Sequence, residues 1–128
     1  LRLLLDTHAL IWWVSEPAAL GAEAHAAISD GDNTIFVSAV SAMEVTTKFR
    51  LGKLPAAIAL ANDFENETSK EGFLQLPLLT REAVLAGSFQ LPHKDPFDRL
   101  LIAQAMLGNL VLVSNESLFD QFGVRRVW

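Results

Sequence analysis

Short apolar runs alternate with stretches of helical period along the whole chain. Residues 1–5 form a short apolar run closed by Asp6, the pattern of a buried strand. Asp6-Thr7-His8 reads as a turn, and residues 9–14 as a short helix carrying Trp12 and Trp13 in packing or interface positions. Residues 17–28 are alanine-rich and helical, with His25 exposed, and residues 29–33 are a loop by composition. Residues 34–37, β-branched and aromatic, form a second strand. A helix then runs to about Arg50, opened by Ser41 and Glu44 at capping-box spacing and stopped by Gly52. Glu44 stands four residues before Lys48, which predicts a favourable surface pair.

The second half continues the alternation. Residues 55–70 predict one long helix with Asp63, Glu65 and Glu67 on a solvated face. Residues 73–76 predict a strand, residues 80–86 a helix, and residues 87–94 a loop. The sharpest signal follows. Asp95 is placed to cap a helix, Pro96 fits its first turn, and Asp98 stands three residues after the cap. The next residues are apolar almost all round, so this helix is buried, with Asp98 on the side of Ile102 and Ala105. Gly108-Asn109 ends it, and residues 110–113 form a fourth strand. A short helix around residues 117–121 is broken by Gly123. Residues 124–128 read as an edge strand that Arg125 and Arg126 keep from pairing wrongly. Strands alternating with helices predict an α/β fold, a three-layer α/β/α sandwich around a mainly parallel sheet, with residues 1–128 as a single domain.

Composition narrows the chemistry. There is no cysteine, so disulfides and thiolate metal sites are excluded, and a reducing, cytoplasmic setting is expected. No run is long and apolar enough to cross a membrane, and no signal peptide is expected before the first strand. Hydrophobic residues make up 51% of the chain, above the usual share of about 45–50% counted with glycine, so part of the apolar surface is expected to meet a partner. The net charge of −5 argues against a general nucleic-acid coat protein but not against a nuclease built on acidic metal ligands.

Four or five carboxylates fall at related places. Asp6, Glu44 and Glu116 each follow a strand, at the sheet edge where open α/β folds bind ligands, and Asp98, with Asp95 one turn away, can reach the same edge. Each alone is explained as a helix cap. Together they would repel one another, and a divalent cation would resolve the repulsion. Oxygen ligands without cysteine favour Mg²⁺ or Mn²⁺, which can activate water and stabilise charge during phosphodiester cleavage.

Leu4-Leu5-Asp6-Thr7-His8, Ser41-Ala42-Met43-Glu44-Val45, the run from His93-Lys94-Asp95-Pro96-Phe97-Asp98-Arg99 through Ala105, and Val113-Ser114-Asn115-Glu116 resemble the successive motifs of PIN-domain proteins, most closely the VapC-type toxins. The resemblance spans the chain in the right order, and Asp-Pro-Phe-Asp-Arg is its most specific part. It implies a Rossmann-like sandwich and a Mg²⁺- or Mn²⁺-dependent endoribonuclease. Asp6, Glu44 and Asp98 match the family's metal-binding acidic positions. Glu116 stands where the family usually has aspartate, and its longer side chain suits action through a water. Asp95 is an extra carboxylate that assists or caps. Thr7 and Ser114 match small hydroxyl positions beside the site, suited to holding a carboxylate. His93, Lys94 and Arg99 are the expected contacts to the RNA backbone. The resemblance further implies a homodimer and a cognate antitoxin.

Two other readings stay open at this stage: a nuclease of RNA maturation, and a non-catalytic RNA- or protein-binding module of the same fold. Dinucleotide and P-loop sites are excluded because Asp6-Thr7-His8, and not a glycine-rich turn, follows the first strand. A haloacid-dehalogenase-like phosphatase needs a second aspartate where His8 stands.

Overall fold

Five parallel strands, β1 (Arg2–Leu5), β2 (Thr34–Ser38), β3 (Leu74–Leu76), β4 (Val111–Val113) and β5 (Arg126–Val127), form the centre of the protein in a computed structural model that describes residues 1–128. Their order is β3-β2-β1-β4-β5. The chain builds outward from β1 to β3, then returns to lay β4 on the other side of β1. In such a sheet the crevice for ligands opens beyond the carboxyl ends, where the direction of building reverses. Here that is the β1/β4 boundary.

The helices are α1 (Thr7–Ser15), α2 (Ala22–Ser29), α3 (Ala39–Arg50), α4 (Ile58–Asn62), α5 (Phe64–Lys70), α6 (Thr80–Ser88) and α7 (Pro96–Gly108). They make the two outer layers of the predicted sandwich. Strand side chains alternate between faces. Leu3 and Leu5 of β1 join Ile35, Val37, Val111 and Val113 in a core with Leu10 of α1 and Ile28 of α2. Leu4 and Leu112 pack on the other face against Leu101, Ile102 and Ala105 of α7 and against Phe119. Helix α3 serves both, with Val45 in the first core and Val40 in the second. Apolar packing on both faces explains why Leu3–Leu5 of β1 and Val111–Val113 of β4 read as hydrophobic runs.

Several elements differ from the sequence expectation. The turn at residues 6–8 is absorbed into α1, because Asp6 itself caps that helix. The predicted helix over residues 17–28 is a 3-10 turn at Pro17–Ala19 followed by α2, separated at Gly21. A Cβ at Gly21 would lie 2.5 Å from the backbone of Trp128, so only glycine admits the C-terminal segment there. The cap of α3 is Ser38 and not Ser41, which lies buried inside the helix. The long helix over residues 55–70 splits into a 3-10 turn, α4 and α5, broken at Asn62-Asp63, residues that favour turns over helix interiors. The last strand shortens to Arg126–Val127, and Arg126 fastens it internally: its guanidinium binds the carboxylate of Asp120 and the carbonyl of Ser114. No helix is long and apolar enough to cross a membrane.

Candidate metal centre

Asp6 lies directly beyond β1, and its N–H extends the ladder by donating to the carbonyl of Val113 at 3.0 Å. Its side chain is buried. The N–H of Ala9 donates to Oδ1 at 2.9 Å, and the hydroxyl of Ser114, just past β4, donates to Oδ2. Burial pushes the Asp6 carboxyl above the usual range against these two hydrogen bonds, and nearby Glu44 adds to the rise while His8 opposes it. Thr7, next in line, bonds Ser41 of α3 hydroxyl to hydroxyl at 2.9 Å, tying α1 to α3 beside the carboxylates.

Glu44 is buried in α3, its side chain only 4% exposed, so its pair with Lys48 is not the surface pair that the spacing suggested. The Lys48 ammonium donates to Glu44 Oε2 and lies 5.9 Å from the centre of the Phe97 ring on α7. Burial works against the Lys48 charge. The hydrogen bond to Glu44 and the fields of Glu44, Asp95 and Asp98 outweigh it and hold the group above the ordinary lysine value.

Helix α7 begins as its sequence dictates. Asp95 caps it, Oδ1 accepting from the N–H of Phe97 at 2.9 Å and of Asp98 at 3.2 Å, and Pro96 fills the first turn. Asp98 Oδ2 lies 2.9 Å from Nε2 of His93. Burial pushes the Asp98 carboxyl up to about 6; the His93 hydrogen bond opposes the rise, and the charges of Asp95 and Glu44 add to it.

The three expected RNA contacts lie differently. Lys94 is exposed. His93 is half-buried against Asp98, its ring edge-on to Phe119 and Phe122. Arg99 is turned inward: Nε donates to the Ala86 carbonyl, Nη2 to Phe89, and Nη1 to both Leu91 and His93, at 2.7 to 3.0 Å. Four of its five N–H donors are thus held by the protein's own backbone, which leaves little of the guanidinium for a phosphate.

Glu116 stands at the same edge but apart from the others. Its carboxylate caps the 3-10 turn Ser117–Phe122 through the N–H of Leu118, and its own N–H donates to Ser114 Oγ. The Ser114 hydroxyl therefore joins Asp6 to Glu116. Glu44 acts on both Asp6 and Asp98, Asp95 acts on Asp98, and Lys48 feels Glu44, Asp95 and Asp98. No three His, Asp or Glu side chains are gathered tightly enough to form a ready ligand set. Lys48 and His93 hold Glu44 and Asp98 instead.

Sequence reasoning missed a polar network behind this edge. Ser38 Oγ donates to buried Gln104 of α7, whose amide donates to the Pro77 carbonyl at 3.2 Å and to buried Glu82 of α6 at 3.3 Å. A lone amide in an apolar helix was the available signal. The network locks α7 to the carboxyl end of β2.

The sequence profile of the PIN domain matches residues 3–124. The chain belongs to the PIN domain family. Solved structures carry the same fold over nearly its full length. In the VapBC complex of Salmonella typhimurium bound to DNA, the matching chain is 18% identical at a TM-score of 0.71, with 99% of this chain and 97% of that one covered. For VapBC2 of Rickettsia felis bound to a promoter DNA fragment the values are 15%, 0.68, 99% and 98%. For the FitAcB structure of Neisseria gonorrhoeae they are 19%, 0.63, 98% and 96%. No curated protein matches the chain in sequence. At these identities the likeness is one of fold, and in this PIN domain the roles of individual side chains rest on their own chemistry.

Proposed function

We propose that this PIN domain is a divalent-metal-dependent endoribonuclease and the toxin of a toxin–antitoxin pair. The observation that carries the activity is the set of carboxylates at the carboxyl edge linked through Glu44, which acts on both Asp6 and Asp98, while burial, the larger cause, raises both of these and Asp95 adds to Asp98. Buried like charges are unfavourable unless a cation joins them. The donors are hard carboxylate oxygens, which suit Mg²⁺ or Mn²⁺. Asp6, Glu44 and Asp98 would hold the ion, which would acidify a bound water and stabilise charge on the scissile phosphate.

The chain's own residues prepare this arrangement. Ser114 and the Ala9 N–H fix both oxygens of Asp6, and the Thr7–Ser41 bond sets α1 against α3. His93 orients Asp98, and Asp95 caps the helix while adding negative charge. Exposed Lys94 is the contact offered to the RNA backbone. Glu116 acts through a water; its backbone N–H, and not its carboxylate, is tied to Asp6 by way of Ser114. The toxin part of the reading draws on the toxin–antitoxin structures whose fold it shares. Met43, Ile58, Leu74 and Val84 are more than half exposed, apolar surface that a homodimer and an antitoxin would cover.

One observation favours a non-catalytic RNA-binding module: Glu44 and Asp98 already have partners in Lys48 and His93. One experiment separates the two readings. Purified protein is incubated with a panel of structured RNAs under Mg²⁺, Mn²⁺ or EDTA, beside Asp98→Asn. Discrete cuts that need metal and disappear in the variant are expected, with a loss of at least about a hundredfold. Folded protein that cuts nothing under either metal would sink the nuclease reading.

A further inference from the structure

Lys48 enters the carboxylate group from α3. It binds the buried Glu44, and across the site it lies over Phe97, the residue directly before Asp98. The side chain retains 28% exposure, so its flexible stem has a route outward. A carboxylate as buried as Glu44 is costly without a cation. Lys48 provides one when no metal is bound. A divalent ion at the same oxygens would do the same, and the two positive groups would then repel one another.

We propose that Lys48 is a built-in counter-ion that neutralises Glu44 in the metal-free protein and is displaced from it when the divalent cation binds. The proposal rests on the assignment of Asp6, Glu44 and Asp98 as metal ligands and adds a residue that sets the affinity of that site. Its geometry has two consequences. Lys48 keeps the site assembled before metal arrives, because it joins α3 to α7. It also weakens metal binding, because its charge must move away from Glu44. The Phe97 ring gives the departing ammonium a nearby face with favourable electrostatics.

The test needs no substrate. Mn²⁺ binding is measured by calorimetry for the wild type, Lys48→Gln, Lys48→Arg and Asp98→Asn. Lys48→Gln keeps a donor toward Glu44 but loses the charge, and it binds Mn²⁺ at least about tenfold tighter than the wild type. Lys48→Arg keeps the charge and stays within about twofold of it. In the wild type, the Lys48 side-chain ammonium signal in NMR moves as Mg²⁺ is added, while those of Lys53 and Lys70, on the surface, stay in place. Equal or weaker Mn²⁺ binding by Lys48→Gln, or a Lys48 signal unmoved at saturating Mg²⁺, overturns the proposal. The two levels separate cleanly. If Asp98→Asn loses binding but Lys48→Gln gains none, only the counter-ion role fails. If Asp98→Asn binds Mn²⁺ as the wild type does, the metal-ligand assignment fails and takes the counter-ion with it.

Discussion

Asp98 is held in its protonated form well past the ordinary carboxylate range, and this has a measurable consequence for stability. Its folded value of about 6 stands above the ordinary 3.8, so folding takes up a proton between those two values. Stability of the metal-free protein therefore falls as pH rises through that window and levels off above it. Asp98→Asn carries no such charge. In EDTA, the melting temperature of Asp98→Asn relative to the wild type is expected to climb from pH 4 to about pH 6 and then level off; a difference that stays flat or narrows across that window would contradict the assigned burial and repulsion. At this scale the sequence was legible for identity and poor for environment. Asp6 and Asp98 stood out because one ends a strand and the other opens a helix; Glu44 stood out by an expected capping box, whereas it lies beyond the first turn of α3. The spacing of Glu44 and Lys48 looks the same on a surface as in a buried site. Glu44 is 4% exposed in an α3 that packs against α1, α4 and α7, which no local pattern encodes.

Helix α7 was legible almost to the residue, because Asp95, Pro96 and the closing Asn109 are each stereochemical requirements of a helix end, Asn109 adopting a left-handed φ of 51°. The role of Arg99 within it was not legible. Its donors close the segment between α6 and α7 through four carbonyls, and the guanidinium lies 5.5 Å from the centre of the Phe89 ring. Such a segment has few ladder bonds of its own, so its order depends on this one side chain. That segment ends at His93, the partner of Asp98. Lysine offers no planar fork and serves one or two carbonyls at most. Arg99→Lys is expected to lower stability in urea unfolding by about 2 kcal/mol or more and to speed amide exchange at residues 89–93, with exchange in β1 and β4 changed only by the global loss. Uniform acceleration throughout the chain would show that Arg99 supports the core and not the segment. The helix over residues 55–70 was misread for a different reason. Helical period continued through Asn62-Asp63 and masked the preference of these two residues for turns, and the chain breaks there.

The whole molecule places its candidate site at one edge of one sheet. Parallel order was predicted from the alternation of strands and helices, but the order β3-β2-β1-β4-β5 was not, because hydrophobic runs carry no address for their neighbours. That order is what brings Ser114, at the end of β4, against Asp6, at the end of β1, across 108 residues of sequence. The opposite edge also has a cleft, of about 480 Å³, lined by Arg2, Asn109, Phe122 and Arg125 among others. It lies at the amino ends of the strands, away from the carboxyl ends where folds of this type bind ligands. Two substitutions near opposite ends of neighbouring strands therefore have opposite expected outcomes. Ser114→Ala removes the hydroxyl that holds Asp6 Oδ2, and metal-dependent cleavage should fall by about 10- to 100-fold. Arg125→Ala, on the cleft across the sheet, should leave the cleavage rate within about twofold. Measured side by side under Mg²⁺ on one RNA, the pair tests the placement of function directly. A large loss in Arg125→Ala with little change in Ser114→Ala would move the active edge to the other end of the sheet, despite the carboxylates gathered at this one.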